Sequence, residues 1–372
     1  MKSLHKIILF ALLPLMGACS GMLDIEPHSA VSPTVVGSDD IEALRLGMYN
    51  KVQEGPTYYS YIAFDLFGGE LMTSTGRPID PINSLSNALH TFVSSQWNGY
   101  YKALLQVNNV MSIAEGLADS PTRNRVLGEC RYFRAYIYLC LVTRFGDVPV
   151  LRQNTQAKVS RDPASMAWEL VEEDLDAASG FLNGLSADSF YYVSPAAVTA
   201  LKARVKLYLG KKGEAKELAE SLIANPNYAL DDFDKIFRSK ANKEVIFAFS
   251  CLTEDGSSIK ISNQFYSYNH PNKGSYNYRP AGDVMTMYAD NDLRKEVSIT
   301  TLDNLNFVNK YPSGQTGSDP VVISRLAEMY LISAEAQGLN GGLDRLNELR
   351  EKRGLDRVSP GNEADFLDAV LQ

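Results

Sequence analysis

Five candidate helix starts in this chain place a capping side chain directly before a proline: Ser120-Pro121, Asp162-Pro163, Ser194-Pro195, Asp319-Pro320 and Ser359-Pro360. A Ser or Asp side chain can accept the orphaned N–H groups of a first helical turn. Proline just after it gives up only an N–H that has no partner there. Five such starts predict a predominantly helical protein. Apolar spacing extends them into helices near 39–54, 95–118, 121–145, 163–183, 195–209, 212–224, 320–338 and 341–353, with a last one from 362. Links within pairs are short, as between Gly210 and Gly213, so partners should run antiparallel.

The helix from Pro121 has the densest pattern. Val126, Cys130, Phe133, Ile137 and Leu141 recur at steps of three or four and share a face. Ala135 to Val142 is apolar or aromatic at nearly every position, which marks a helix packed on more than one side. Gly146 stops it and Pro149 forbids resumption. Two later stretches can be laid on the roughly 34-residue tetratricopeptide layout. In Ala196 to Ala229, the small residues Ala203, Gly210 and Ala215 fall where two helix backbones must approach. Ile323–Arg353 repeats the logic through Tyr330, Ala334, a Gly338–Gly341 turn, then Leu343, Leu346 and Leu349. The expected fold class is mainly α: a tetratricopeptide-like helical-repeat scaffold of antiparallel helix pairs, with long loops and a few short strands. Residues 55–94 and 240–318 break the pattern. They are rich in Gly, Ser, Asn and Tyr, include the β-like run Glu244 to Ser250, and read as ordered binding loops.

The N-terminus reads as a processing signal. Lys2 and Lys6 precede the apolar run Ile7 to Met16, which is too short for a bilayer span of about 20 residues but suits a signal peptide. Met16-Gly17-Ala18-Cys19 resembles a lipobox, with residues 1–18 removed and Cys19 acylated as the first mature residue; a plain secretory signal is the alternative. The mature chain, 19–372, keeps 34 basic against 44 acidic residues, a net charge of −10. That balance argues against a nucleic-acid partner, which needs clustered Lys and Arg. No later run is apolar enough to span a membrane, so a lipid would be the only anchor. Cys130, Cys140 and Cys251 read as small buried hydrophobes, the first two about 15 Å apart by helical rise and far outside disulfide reach.

No catalytic constellation emerges. The three histidines left after processing, His28, His90 and His270, lack metal-ligand partners at helical or hairpin spacing. There is no Gly-rich phosphate loop or Gly-x-Ser-x-Gly elbow, and Glu172-Glu173-Asp174 and Asp231-Asp232 read as solvated faces and turns. The expectation is a non-enzymatic protein without metal or cofactor. Binding has better support, because sugar rings stack on aromatic faces and their hydroxyls pair with Arg, Asn and Asp. Two clusters offer that mixture. One is Tyr58, Tyr59, Tyr61 and Asp65 with Arg77, Asn83 and Asn87. The other is Phe265, Tyr266, Tyr268, Asn269, His270, Tyr276, Tyr278 and Arg279. Each tyrosine either contacts ligand or pads a loop against the helical body. Trp97 with Tyr101, Leu104 and Val107, and Trp168 with Val171 and Leu175, have helical spacing and read as core.

Gly128-Glu129-x-Arg131-x-x-Arg134-Ala135-Tyr136, running on to Phe145-Gly146-Asp147-Val148-Pro149, resembles the signature of the SusD/RagB family of nutrient-binding lipoproteins. Cys130 stands where that family more often has Ala. Leu23-Asp24-Ile25-Glu26-Pro27 is similar to the family's mature start. Arg325-Leu326-Ala327-Glu328 with Ala334-Glu335-Ala336, and Leu346-Asn347-x-x-Arg350-x-x-Arg353-Gly354-Leu355, are similar to later family helices. Arg325 and Glu328, three apart, should pair on the helix surface. The resemblance implies a lipid-anchored protein of the outer membrane, on the cell surface, that captures oligosaccharides and passes them to a TonB-dependent (SusC-like) transporter. Peptide capture, as in RagB-like members, and a tetratricopeptide-type scaffold that binds only proteins remain alternatives. The family's ligand contacts follow no motif, so the candidates Tyr58, Tyr59, Tyr61, Arg77, Tyr266, Tyr268, Tyr276, Tyr278 and Arg279 rest on composition. The resemblance also implies a further C-terminal segment beyond Gln372. Without it, the apolar stripe Phe366, Leu367, Val370 and Leu371 should lie bare, at a cost of several kcal/mol.

Overall fold

Ser120 Oγ accepts the backbone N–H of Arg123 at 3.1 Å, and Ser194 Oγ accepts that of Ala197 at 3.1 Å, so two of the five proline-marked starts are capped as expected. The computed structural model describes residues 40–74, 91–238, 241–251 and 259–372. The signal-like segment, Cys19, the Leu23–Pro27 stretch, His28, Arg77, Asn83, Asn87 and His90 lie outside the described residues. The chain divides into Met1–Glu42 and Ala43–Gln372. The first unit falls almost wholly outside the described residues, and the architecture below is that of the second.

In chain order the elements are α1 (Ile41–Glu54), α2 (Tyr59–Gly68), β1 (Leu71–Thr73), α3 (Thr91–Glu115), α4 (Pro121–Phe145), α5 (Ala164–Phe181), α6 (Pro195–Tyr208) and α7 (Lys212–Ile223). An irregular region follows, with α8 (Phe233–Ile236), β2 (Val245–Phe249), β3 (Tyr278–Pro280), α9 (Val284–Met287), α10 (Lys295–Ser298), β4 (Ile299–Leu302), β5 (Leu305–Val308) and β6 (Val321–Arg325). The chain then returns to helix in α11 (Leu326–Gln337), α12 (Leu339–Lys352) and α13 (Glu363–Leu371). The protein is mainly helical, and the long helices form a stack: α3 on α4, α4 on α5, α5 on α6, α6 on α7, α7 on α11 and α11 on α12. The second helical pair thus docks directly on the first, and everything between α7 and α11 is an insertion. Small residues make the close approaches possible. Ala203 and Ala215 are fully buried, and a Cβ at Gly342 would meet the Ala334 carbonyl oxygen.

Three capping expectations fail, each for a readable reason. Asp162 forms a bridge with Val148 and its carboxylate accepts the Val150 N–H at 2.8 Å, while Asp147 accepts the N–H of Ala164 at the start of α5. Asp319 accepts the N–H of Ser313 at 2.9 Å, and the β-branched run Val321-Val322-Ile323 takes a strand instead of a helix. At the last start, Asn362 rather than Ser359 is the cap, accepting the Asp365 N–H at 3.0 Å. The Arg325–Glu328 pairing is also corrected. Arg325 donates to Glu244 at 2.8 Å, and Glu328 accepts from Arg204 at 2.5 and 2.8 Å. The C-terminal stripe is not bare: Phe366 and Val370 are buried with Ala334 and Leu346, and only Leu371 stands out.

Helix α4 runs through the middle of the stack, and its signature residues hold the neighbours. Arg45 of α1 meets Glu129 at 2.5 and 2.8 Å. Arg134 meets Asp174 of α5 through two bonds of 2.6 and 2.8 Å, with Arg131 adding a third at 3.0 Å. A Cβ at Gly128 would lie 2.5 Å from Leu182, so only glycine lets α5 close down there. Cys130 packs with its sulfur 3.4 Å from that of Met48, and Cys130, Cys140 and Cys251 are buried free thiols. On another face, Tyr132 and Phe133 receive Phe247 of β2 at ring distances of 5.5 and 6.2 Å. β2 pairs antiparallel with β6, from Val245 opposite Arg325 to Phe249 opposite Val321, which fastens the insertion to the core. Trp97 and Trp168 are less central than their spacing implies: each is half-buried, Trp97 against Tyr101 and Phe145, Trp168 beside the exposed Tyr208.

Asp174 is fully buried and its carboxylate is compensated by two guanidinium groups. Replacing Arg134 with Ala should therefore destabilise the fold by about 3–5 kcal/mol, because one charge of a buried pair is left behind. The joint Arg134→Met, Asp174→Leu variant should lose markedly less. Denaturant unfolding of the two variants checks the difference.

Candidate binding cleft

The stretch around Tyr58–Asp65, expected as a loop, is helix α2. Between Tyr58 and Phe67 there is no Gly or Pro, Ile62 and Leu66 are spaced four apart and buried, and Gly69 at φ 90° ends the helix. Beyond it, β1 pairs antiparallel with β3, Met72 opposite Arg279 and Thr73 opposite Tyr278. That short ladder, with Ser74 Oγ donating to the Tyr276 carbonyl, brings the two tyrosine clusters of the sequence into one neighbourhood.

Within it the candidates separate. Tyr58 is half-buried, with ring centroids 4.4 Å from Tyr59 and 6.4 Å from Tyr278, and Tyr59 leans on Phe92 at 5.1 Å. Tyr278 is buried and Arg279 half-buried. Tyr266 is fully buried, its ring tilted against His270 at 4.5 Å and its hydroxyl hydrogen-bonded to Asn309 at 3.0 Å; burial lowers the pKa of His270. Tyr276 packs on Phe307 at 5.1 Å and donates to the Asn306 carbonyl. Tyr268 is 74% exposed and stands in solvent. These placements assign Tyr266 and Tyr278 to packing.

Tyr61 does border open space. Its hydroxyl donates to the Gln53 carbonyl at 2.6 Å, and its side chain forms part of the wall of a cleft of about 590 Å³. Ligand pockets run from roughly 300 to 1,000 Å³, so the size suits a small oligomer. Helix α2 supplies Tyr61 and Asp65, the segment after α9 supplies Tyr288 and Arg294, and the chain leaving β5 supplies Lys310 and Tyr311. Ile62, Leu71, Ile261 and Phe265 form the apolar part of the lining.

The charges there are unevenly satisfied. Arg294 is committed to Asp292 through bonds of 3.0 and 2.8 Å, and Arg350 donates from Nε to the Asp356 carbonyl. Lys310 lies with its ammonium 5.4 Å from the Phe237 ring, and no carboxylate among the described residues comes within ion-pair distance of it. Burial lowers the pKa of that ammonium; the field of Asp65 opposes the effect, while Arg325 and Arg294 add to it. Burial likewise raises the Asp65 carboxyl, with Lys310 pulling it back. Among the described residues no group of three His, Cys, Asp or Glu side chains could hold a metal ion. A second hollow of about 550 Å³ lies along α1 beside Tyr191 and Tyr192, without a charged group in its lining.

Lys310, Tyr311, Tyr288 and Arg294 were not among the sequence candidates. The only local signal was the basic-aromatic run Lys310-Tyr311-Pro312 inside a polar segment.

A family model for SusD-like proteins, described as starch-binding and associating with the outer membrane, matches residues 22–209, half of the chain. The chain belongs to the SusD-like family. Solved structures extend the likeness beyond that half. A SusD superfamily protein from Bacteroides thetaiotaomicron is 20% identical, with a TM-score of 0.76 over 90% of this chain and 85% of its own. Surface glycan-binding protein A from the same species, solved in complex with laminarihexaose, is 17% identical with a TM-score of 0.75, covering 89% of this chain and 86% of its own. NanU from B. fragilis is 22% identical with a TM-score of 0.72, covering 93% and 81%. At these identities the likeness is one of fold. No curated protein matches the chain. In this protein the long helices form the stack, and α2 with the segment between α7 and α11 supplies most of the cleft lining.

Proposed function

We propose that this protein captures oligosaccharides at the cleft between α2 and the β4–β5 segment. It works as a lipid-anchored member of the outer-membrane surface and passes its ligand to a TonB-dependent transporter of the SusC-like kind. The observation that carries the reading is the cleft itself, in which Tyr61, Tyr288 and Tyr311 stand beside Asp65, Arg294 and Lys310 in a SusD-like protein. Aromatic faces suit the apolar faces of sugar rings, and the polar groups suit hydroxyls. The role proposed is binding, in line with the starch-binding description of the matching family. The glycan ligand of surface glycan-binding protein A supports a carbohydrate over a peptide.

Titration calorimetry against a panel of neutral and charged oligosaccharides tests the capture. Wild type should bind at least one of them. Tyr311→Ala should weaken that binding about three- to tenfold, as loss of one stacking ring implies. Tyr268→Ala, which alters an exposed ring outside the cleft lining, should leave it unchanged. Binding to none of the panel, or equal loss in both variants, would contradict the proposal. For the anchor, metabolic labelling with a fatty-acid analogue should tag the wild type and leave Cys19→Ala untagged and released from membranes.

A further inference from the structure

Lys310 is an ammonium group placed where a charge is expensive. It is set in the wall of the cleft beside the Phe237 ring, and among the described residues it has neither a carboxylate at ion-pair distance nor a hydrogen-bond acceptor. The other cations near it are occupied: Arg294 by Asp292, Arg325 by Glu244, Arg350 by a backbone carbonyl. A neutral sugar that filled the cleft would strip water from Lys310 and return only hydroxyl oxygens, leaving the charge poorly compensated. An anionic group on the ligand would supply the missing counter-charge through charge-assisted hydrogen bonds.

Resting on the reading of this cleft as a glycan site, we infer that its ligand is an acidic oligosaccharide, whose carboxylate or sulfate group is received by Lys310. Asp65 faces the same space and makes no side-chain hydrogen bond among the described residues, so it is available to accept a ring hydroxyl of the same sugar unit. Asp65, with Glu70 on the same wall, selects a polyhydroxylated acid whose charge is held at Lys310 over a bare anion, which would meet both carboxylates as like charges. Tyr61 and Tyr311 supply the faces against which the ring lies.

The test uses the full mature chain on a printed array carrying neutral, uronate-bearing and sulfated oligosaccharides. It is followed by titration of the best ligand and, where that ligand is a uronate, of its carboxyl methyl ester. Binding should be confined to the acid-bearing probes, and esterification or desulfation should weaken it about ten- to a hundredfold, the range for a hydrogen bond to a charged group. Lys310→Gln should lose the acidic ligand by the same factor and no longer distinguish acid from ester. Lys310→Arg, which keeps the charge, should retain most of the discrimination and shows that a loss in the Gln variant is not misfolding. Uronates and sulfates are told apart by which array class binds. Tight binding of neutral glycans that Lys310→Gln leaves unchanged would overturn this inference while the capture reading stands. Binding to no glycan at all would overturn both.

Discussion

The buried carboxylate–guanidinium ties of the central helix are what the rest of the molecule leans on. Pro121–Phe145 is wrapped by other elements along most of its length, and apolar packing alone would leave the rotation of each neighbour loosely set. Glu129 with Arg45, and Asp174 with Arg131 and Arg134, fix those rotations because a buried charge tolerates few geometries. Glycine at 128 then allows Leu182 to close on the same helix. The Gly-Glu-x-Arg-x-x-Arg signature is thus a set of structural joints. None of its side chains borders the cleft.

From that support the insertion is hung at two places. Phe247 and Phe249 of β2 pack on Tyr132, Phe133 and Tyr136, and Glu244 at the strand's edge gathers Arg325 and Arg353 from the second helical pair. One strand therefore links the central helix, the returning helices and the irregular region. The cleft forms where the irregular region meets α2. Its walls come from segments far apart in sequence, and this lets a rigid helical body carry a binding surface whose residues can change without disturbing the stack.

What could be read from the sequence was local. The caps at Ser120 and Ser194, the buried length of the central helix and the small residues of the two helical pairs all depend on neighbours within a turn or two. Long-range choices decide the rest. Asp319-Pro320 has the chemistry of a helix start, but Val321 to Ile323 found a strand partner in Val245–Phe249, and the ladder won. By composition the tyrosines of α2 read as a loop, although Ile62 and Leu66 keep the four-residue spacing of a helix. For Tyr266 and Tyr278 the sequence leaves ligand contact and padding both open, because nothing nearby shows that Phe307 and the β1–β3 ladder cover them. Lys310 was invisible for a stronger reason. That it has no carboxylate partner among the described residues shows only in three-dimensional placement.

The central claim is that sugar is held between α2 and the β4–β5 segment, and not on the helical stack. Hydrogen–deuterium exchange with and without a bound oligosaccharide tests it most directly, because each amide reports its own surroundings. The account predicts slowed exchange in residues 59–71 and 284–311, with α6 and α7 unchanged. Protection confined to the α6–α7 pair, with the cleft residues unaffected, would contradict it.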